Sequence, residues 1–263
     1  MGTGDPAGSV ERLDVTPLDV LDTRSPELPG LRPCFIENRG QLDDGEVAYY
    51  APGGSVSVGF GPGWAAYAVR EADGQHVTVF RTTFAGCEPV TPTARDPEAH
   101  PTSYFIGPDE SEWVVGARSY RTVLYQDLYE GIDVAYYFED GCLKYDVVVG
   151  PGSDPAAYRL EYEGVATLEV DGRSGDLLVG AGGQVLTEAA PRAFQVMDGR
   201  RVEVEAAFQL GDGGTLGFAV GDHDPSIPLV IDPGLAFSTY LGGTKEDYLN
   251  DMAVDEGGHM LLT

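Results

Sequence analysis

IDVAYYFEDGCLKYDVVV, residues Ile132 to Val149, decides the fold class. Ile132, Val134 and Tyr136 alternate with Asp133, Ala135 and Tyr137, the period of two that places successive side chains on opposite faces of a strand. Beyond Asp140-Gly141 the alternation resumes with Leu143, Tyr145 and Val147 on one face. Asp-Gly supplies the positive φ that a two-residue hairpin turn requires, so the stretch reads as two antiparallel strands and belongs in the middle of a sheet.

The same punctuation recurs outward from this hairpin. Short alternating runs follow one another every 8–12 residues from Phe35 onward, and Asp73-Gly74, Asp198-Gly199 and Asp212-Gly213 supply further turns. The runs are Val47 to Ala51, Ser55 to Phe60, Ala65 to Val69, His76 to Phe84, Ser103 to Ile106, Tyr158 to Tyr162, Thr167 to Val170, Asp176 to Val179, Ala193 to Met197, Val202 to Leu210, Thr215 to Val220 and Leu229 to Ile231. Helical spacing is almost absent. The expected fold is all-β: an antiparallel β-sandwich-type domain over 34–233, in one body or two packed subdomains, followed by an incomplete β-propeller repeat over 234–263. Residues 1–33 are acidic and interrupted by Pro6, Pro17, Pro26, Pro29 and Pro33, the composition of a flexible leader.

Composition excludes whole classes of function. Forty-three Asp and Glu against 16 Lys and Arg give a net charge of −27, which repels nucleic acid and anionic lipid. Only two of the basic residues are lysines, Lys144 and Lys245. No stretch approaches the roughly 20 apolar residues of a membrane span, so direct membrane insertion is not expected. The first 35 residues also lack a secretory signal's basic start and apolar run, so export would require a signal removed or encoded elsewhere. Cys34, Cys87 and Cys142 are widely spaced and odd in number, which fits three small hydrophobes better than a zinc site or a disulfide framework.

Four segments, in order, resemble a known family: Cys34 to Gly53, Leu128 to Pro155, Ala190 to Val196 and Ile227 to Gly243. Together they are similar to the uncharacterised N-terminal β-rich domain that precedes SBBP repeats, bacterial-type β-propeller repeats, in bacterial and archaeal cell-surface proteins. The resemblance implies a non-catalytic extracellular or cell-surface module with a structural or adhesive role. Its expected partners are downstream propeller repeats and surface glycans. Within 234–263, Phe237 to Leu241, Met252 to Val254 and Met260 to Leu262 read as strands of a first, partial repeat that docks on the main domain or packs with exposed edges. The shared residues have structural explanations: Asn38 and Gly40 in a tight turn, Pro151-Gly152 and Pro155 ending a strand, and Asp232-Pro233 turning the chain at the domain exit.

Two chemistries compete with that reading. Glu130, Asp133, Glu139 and Asp140 lie on or beside a hairpin rich in Tyr125, Tyr129, Tyr136 and Tyr137, and paired carboxyls beside aromatic rings are the equipment of a glycoside hydrolase. The hairpin region 125–145 is therefore an alternative carbohydrate-active or carbohydrate-binding site. Tyr50 and Tyr137 are its candidate sugar-stacking rings, unless a second layer covers them. No cofactor is expected; the second competing chemistry is calcium, for which Asp247, Asp251 and Asp255 offer candidate oxygen ligands. The acidic segment Asp171 to Asp176 is better read as a turn. Neither a nucleophile elbow nor an H-E-x-x-H motif occurs, and the four histidines are isolated from one another.

Overall fold

The computed structural model describes residues 33–42, 44–53, 56–71, 76–99, 101–105, 109–211, 214–233, 252–254 and 260–262. In chain order the strands are β1 (Phe35–Glu37), β2 (Tyr49–Ala51), β3 (Val56–Gly61), β4 (Trp64–Arg70), β5 (Val77–Phe84), β6 (Thr93–Pro97), β7 (Thr102–Tyr104), β8 (Val114–Ala117), β9 (Ser119–Tyr129), β10 (Ile132–Glu139) and β11 (Cys142–Val149). They continue with β12 (Leu160–Glu163), β13 (Thr167–Val170), β14 (Leu177–Ala181), β15 (Gln184–Glu188), β16 (Arg192–Met197), β17 (Arg200–Val204), β18 (Ala206–Leu210), β19 (Thr215–Val220), β20 (Leu229–Asp232), β21 (Met252–Val254) and β22 (Met260–Leu262). Among the described residues helix is confined to two 3-10 turns, Glu110–Glu112 and Pro155–Ala157. None is long and apolar enough to cross a membrane.

One antiparallel sheet dominates, in the order β17-β16-β20-β11-β10-β9-β1-β2-β3-β4-β5-β12-β19-β18, with β6 added on β9. Its two ends, β17 and β18, are halves of one run, Arg200 to Leu210, broken at Glu205. Sequence alternation predicts a single strand there. The break falls where the run changes partner: Val204 still pairs with Ala193 of β16, whereas the Glu205 carbonyl accepts the Gly221 N–H at 2.8 Å at the head of the β18–β19 ladder. Between those ends the sheet curls on itself. Residues far apart in the strand order therefore meet: Phe60 on β3 packs on Tyr136 of β10 with ring centroids 4.8 Å apart, and Phe84 on β5 packs on Tyr125 of β9 at 5.0 Å.

A second sheet, β13-β14-β15, contributes Leu177, Val179, Ala181 and Leu186 to the same core as the large sheet. The chain thus has one principal core, not one for each of two subdomains. Full burial of each large apolar side chain in it stabilises the fold by about 1.5–3 kcal/mol. β7 and β8 form a separate pair, and their Tyr104, Val114 and Ala117 pack with Ile36, Leu42 and Tyr50 in a smaller cluster.

The hairpin β10–β11 forms as its sequence predicts, with Tyr136 opposite Tyr145 and Glu139 opposite Cys142. Asp140 (φ 51°) and Gly141 (φ 78°) both occupy the left-handed region, as do Asp198 and Gly199 between β16 and β17. The hairpin is interior to the sheet, β11 pairing also with β20 and β10 with β9. Asn38 pins its loop as expected: its side-chain oxygen accepts the Gly40 N–H at 3.1 Å, and its amide donates to the Asp44 and Val47 carbonyls. Segment Asp171 to Asp176 is the β13–β14 turn, the Asp171 carboxylate accepting the N–H groups of Arg173 and Ser174. Beyond Pro233, Met252–Val254 pairs with Met260–Leu262 as the sequence suggests. The expected strand Phe237 to Leu241, and with it a propeller repeat, lies outside the described residues.

Candidate functional site

Two polar clusters stand out, one on each face of the β10–β11 hairpin. On the face turned from the principal core, strand parity aligns Tyr137 and Glu139 of β10 with Lys144, Asp146 and Val148 of β11 and with Val230 and Asp232 of β20. The Lys144 ammonium donates to Glu139 Oε2 at 2.9 Å and lies 3.1 Å from Asp232 Oδ1 and 3.2 Å from Asp232 Oδ2. It also stands 5.9 Å from the Tyr137 ring centroid, while the Tyr137 hydroxyl donates to Asp146 Oδ1 at 2.9 Å. Val148, Phe194 and Val230 form an apolar patch on this face, and the Arg201 guanidinium stacks 3.5 Å over the Phe194 ring.

Burial is the largest single influence on the Lys144 ammonium and pulls its pKa down. The hydrogen bonds and charges of Glu139 and Asp232 outweigh it and hold the group above the ordinary lysine range. Lys144 is only 7 % exposed, so the pair with Asp232 is a largely desolvated one.

The second cluster lies inside the core. Glu188, the last residue of β15, is 1 % exposed and accepts the Tyr145 hydroxyl at 2.8 Å. Tyr67, Tyr145, Tyr158 and Tyr162 lie close enough for its charge to act on their phenols. Burial pushes the carboxyl up to about 8, the Tyr145 hydrogen bond offsetting only part of that rise. The four phenols are pushed up in turn, by burial first and by the Glu188 charge. The cluster is closed to solvent, so it holds a proton without offering it to a substrate.

The acids singled out in the sequence do not converge. Asp133 and Glu139 share a face of β10 but sit six residues apart, a span of about 20 Å at the rise of a strand. Glycoside hydrolysis requires about 5–9.5 Å between its carboxyls. Asp133 is bound to the fold, its Oδ1 accepting the N–H of Asp127 at 2.7 Å where β9 bulges. Glu130 and Asp140 are exposed turn residues at opposite ends of the strand. Glu139 instead approaches Asp232 of β20, and the ammonium of Lys144 occupies the space between them.

The candidate stacking rings Tyr50 and Tyr137 are both covered, the arrangement under which the sequence reading excludes them from stacking on sugar. Tyr50 is 1 % exposed because the β7–β8 pair lies over it; its hydroxyl donates to Tyr104 at 2.8 Å and receives the Gln41 amide. Tyr137 is 4 % exposed, since this part of the sheet is buried on both faces. Tyr125 and Tyr129 donate to main-chain carbonyls, the first to Gly61 and Trp64, the second to Ala85 and Arg159. Cys34, Cys87 and Cys142 are free and half-buried, with thiols raised above their ordinary range chiefly by burial. The calcium candidates Asp247, Asp251 and Asp255 lie outside the described residues. Among those described, no group of three or more His, Cys, Asp or Glu side chains is placed to hold a metal ion.

The sequence singles out none of Lys144, Asp146, Asp232 and Glu188 as a candidate site residue, although it marks Lys144 as a rare lysine and Asp232 as part of a turn. Glu188 left one trace, the parity it shares with inward Leu186 in QVLTE. Lys144 left another, as a lysine in a chain whose other cations are, with one exception, arginines.

A family model described as a domain of unknown function, DUF7948, matches residues 35–234. No curated protein and no solved structure matches the chain.

Proposed function

Because the chain belongs to the DUF7948 family of domains of unknown function, we propose that it is a non-catalytic structural or adhesive module of the cell surface, placed N-terminal to a β-propeller. The observation that carries this reading is the chain exit. Asp232, at the end of β20 and just before Pro233, is bound to Lys144 beside the turn of the β10–β11 hairpin. The end of β20 is therefore anchored in the sheet, as a spacer or platform requires. The propeller is supported by the reading of 234–263 as a partial first repeat and by the β21–β22 pair within it. In that setting its partners are the downstream repeats and surface glycans, and calcium is the one cofactor for which the sequence offers ligands.

Protease treatment of intact cells tests the location, with peptides from 35–233 expected in the released fraction. Their complete protection until lysis overturns it. Non-catalysis is tested with a panel of aryl glycosides, on which wild-type protein is expected to give no turnover. Turnover that disappears in Glu139→Gln would favour the carbohydrate-active alternative instead.

A further inference from the structure

We propose that Lys144 and Asp232 condense in the mature protein to an intramolecular isopeptide bond, with Glu139 as the proton carrier. The Lys144 amine stands 3.1 and 3.2 Å from the two oxygens of one carboxylate, so it also lies close to that carboxylate's carbon. Main-chain pairing fixes both partners: β11 and β20 are adjacent, with Val147 opposite Ile231 and Val148 opposite Val230. Reactants that the fold holds in contact react as if at very high concentration. The Lys144 and Asp232 side chains are 9 % and 21 % exposed. Glu139 is the most exposed of the three, at 41 %, on the side from which a released water can leave.

Composition points the same way. For a purely electrostatic bridge to two carboxylates, arginine is the better residue, with its planar fork of donors. Fourteen of the sixteen basic residues here are arginines, yet this position holds a lysine, whose primary amine becomes a nucleophile once it loses a proton. Pro233 matters as well. Attack by the following backbone nitrogen, the common route by which an aspartate dehydrates, needs an N–H that proline lacks.

The step balances without a further reagent. The Lys144 ammonium passes one proton to Glu139, which relays it to the Asp232 carboxylate. The neutral amine attacks the Asp232 carboxyl carbon, forming a C–N bond. A second amine proton returns through Glu139 to the hydroxyl, the C–O bond breaks, and water leaves. Glu139 ends as a carboxylate and the amide keeps one N–H. The ion pair holds its protons firmly, but the reaction occurs once per molecule, so a rarely populated neutral pair is enough.

The product ties together residues 88 positions apart. Intact mass spectrometry of the denatured full chain is expected to show the sequence mass less one water. Proteolytic mapping is expected to find a branched peptide joining the segments of Lys144 and Asp232, with no tryptic cleavage after Lys144. Lys144→Arg, which keeps the charge but cannot condense, restores the full mass. Glu139→Gln, which leaves the Lys144–Asp232 pair in place, lowers the cross-linked fraction at matched times about tenfold or more. Circular dichroism confirms that both variants remain folded. Full sequence mass in aged, folded wild-type protein overturns the proposal, as does a water loss that maps elsewhere or survives in Lys144→Arg.

Discussion

Glu188 shows how far a single residue can depart from its solution behaviour. Its carboxyl, with one hydrogen-bond donor and a wall of neutral phenols, sits at about 8 instead of its ordinary 4.5. The folded state therefore keeps a proton that the unfolded chain releases between those two values. The contribution of Glu188 to stability is fullest below about 4.5 and is lost as pH rises toward about 8. The tyrosines around it stay neutral throughout that window, since burial pushes them above their usual range. Glu188→Gln keeps the shape and an oxygen to accept from Tyr145. It is expected to flatten the pH dependence and to raise stability at pH 8 by about 3 kcal/mol. Urea midpoints from pH 5 to 9 check this, and parallel profiles for the two proteins would count against it. In the sequence only the parity of Glu188 with Leu186 hinted that it points inward, and nothing in Thr187 or Ala189 signals the tyrosines that surround it.

Among the elements, those with one wet face or a chemically specified turn were legible. Cys142–Val149, Thr167–Val170 and Thr215–Val220 have the boundaries their alternation predicts. The longest strand, Ser119–Tyr129, was not seen, because Thr122, Val123, Leu124 and Tyr125 are buried in succession and leave no alternation to detect. Asp127, at φ 52°, then bulges the strand and shifts its register. Turn chemistry and close packing can be separated by two glycines. Gly141 is at φ 78° in open space, so Gly141→Ala is expected to cost about 1 kcal/mol through backbone strain alone. Gly61 has no positive φ, but a β-carbon there would stand 2.1 Å from the Trp64 ring, which is stacked under Arg81. Gly61→Ala is expected to cost more, about 3 kcal/mol, by overpacking. Thermal melts of the two variants check the order, and equal losses would refute the assignment of separate causes.

At the scale of the whole molecule, a net charge of −27 over the chain makes self-repulsion a general cost of folding. Raising sodium chloride from about 0.05 to 0.5 M shortens the screening length from above 10 Å to a few ångströms. The unfolding temperature is expected to rise over that range, and a flat response would mean that the acids are already neutralised within the fold. The chain by itself determined the all-β class, the Asp-Gly hairpins and the Asn38 loop, because these depend on period and local turn geometry. Tertiary structure alone decided what the carboxylates do. The curl of the large sheet and the closure of β13-β14-β15 onto it bring Glu188 against tyrosines from distant strands, while pairing of β20 with β11 brings Asp232 to Lys144. Such meetings depend on which strands become neighbours, and side-chain period carries no information about that.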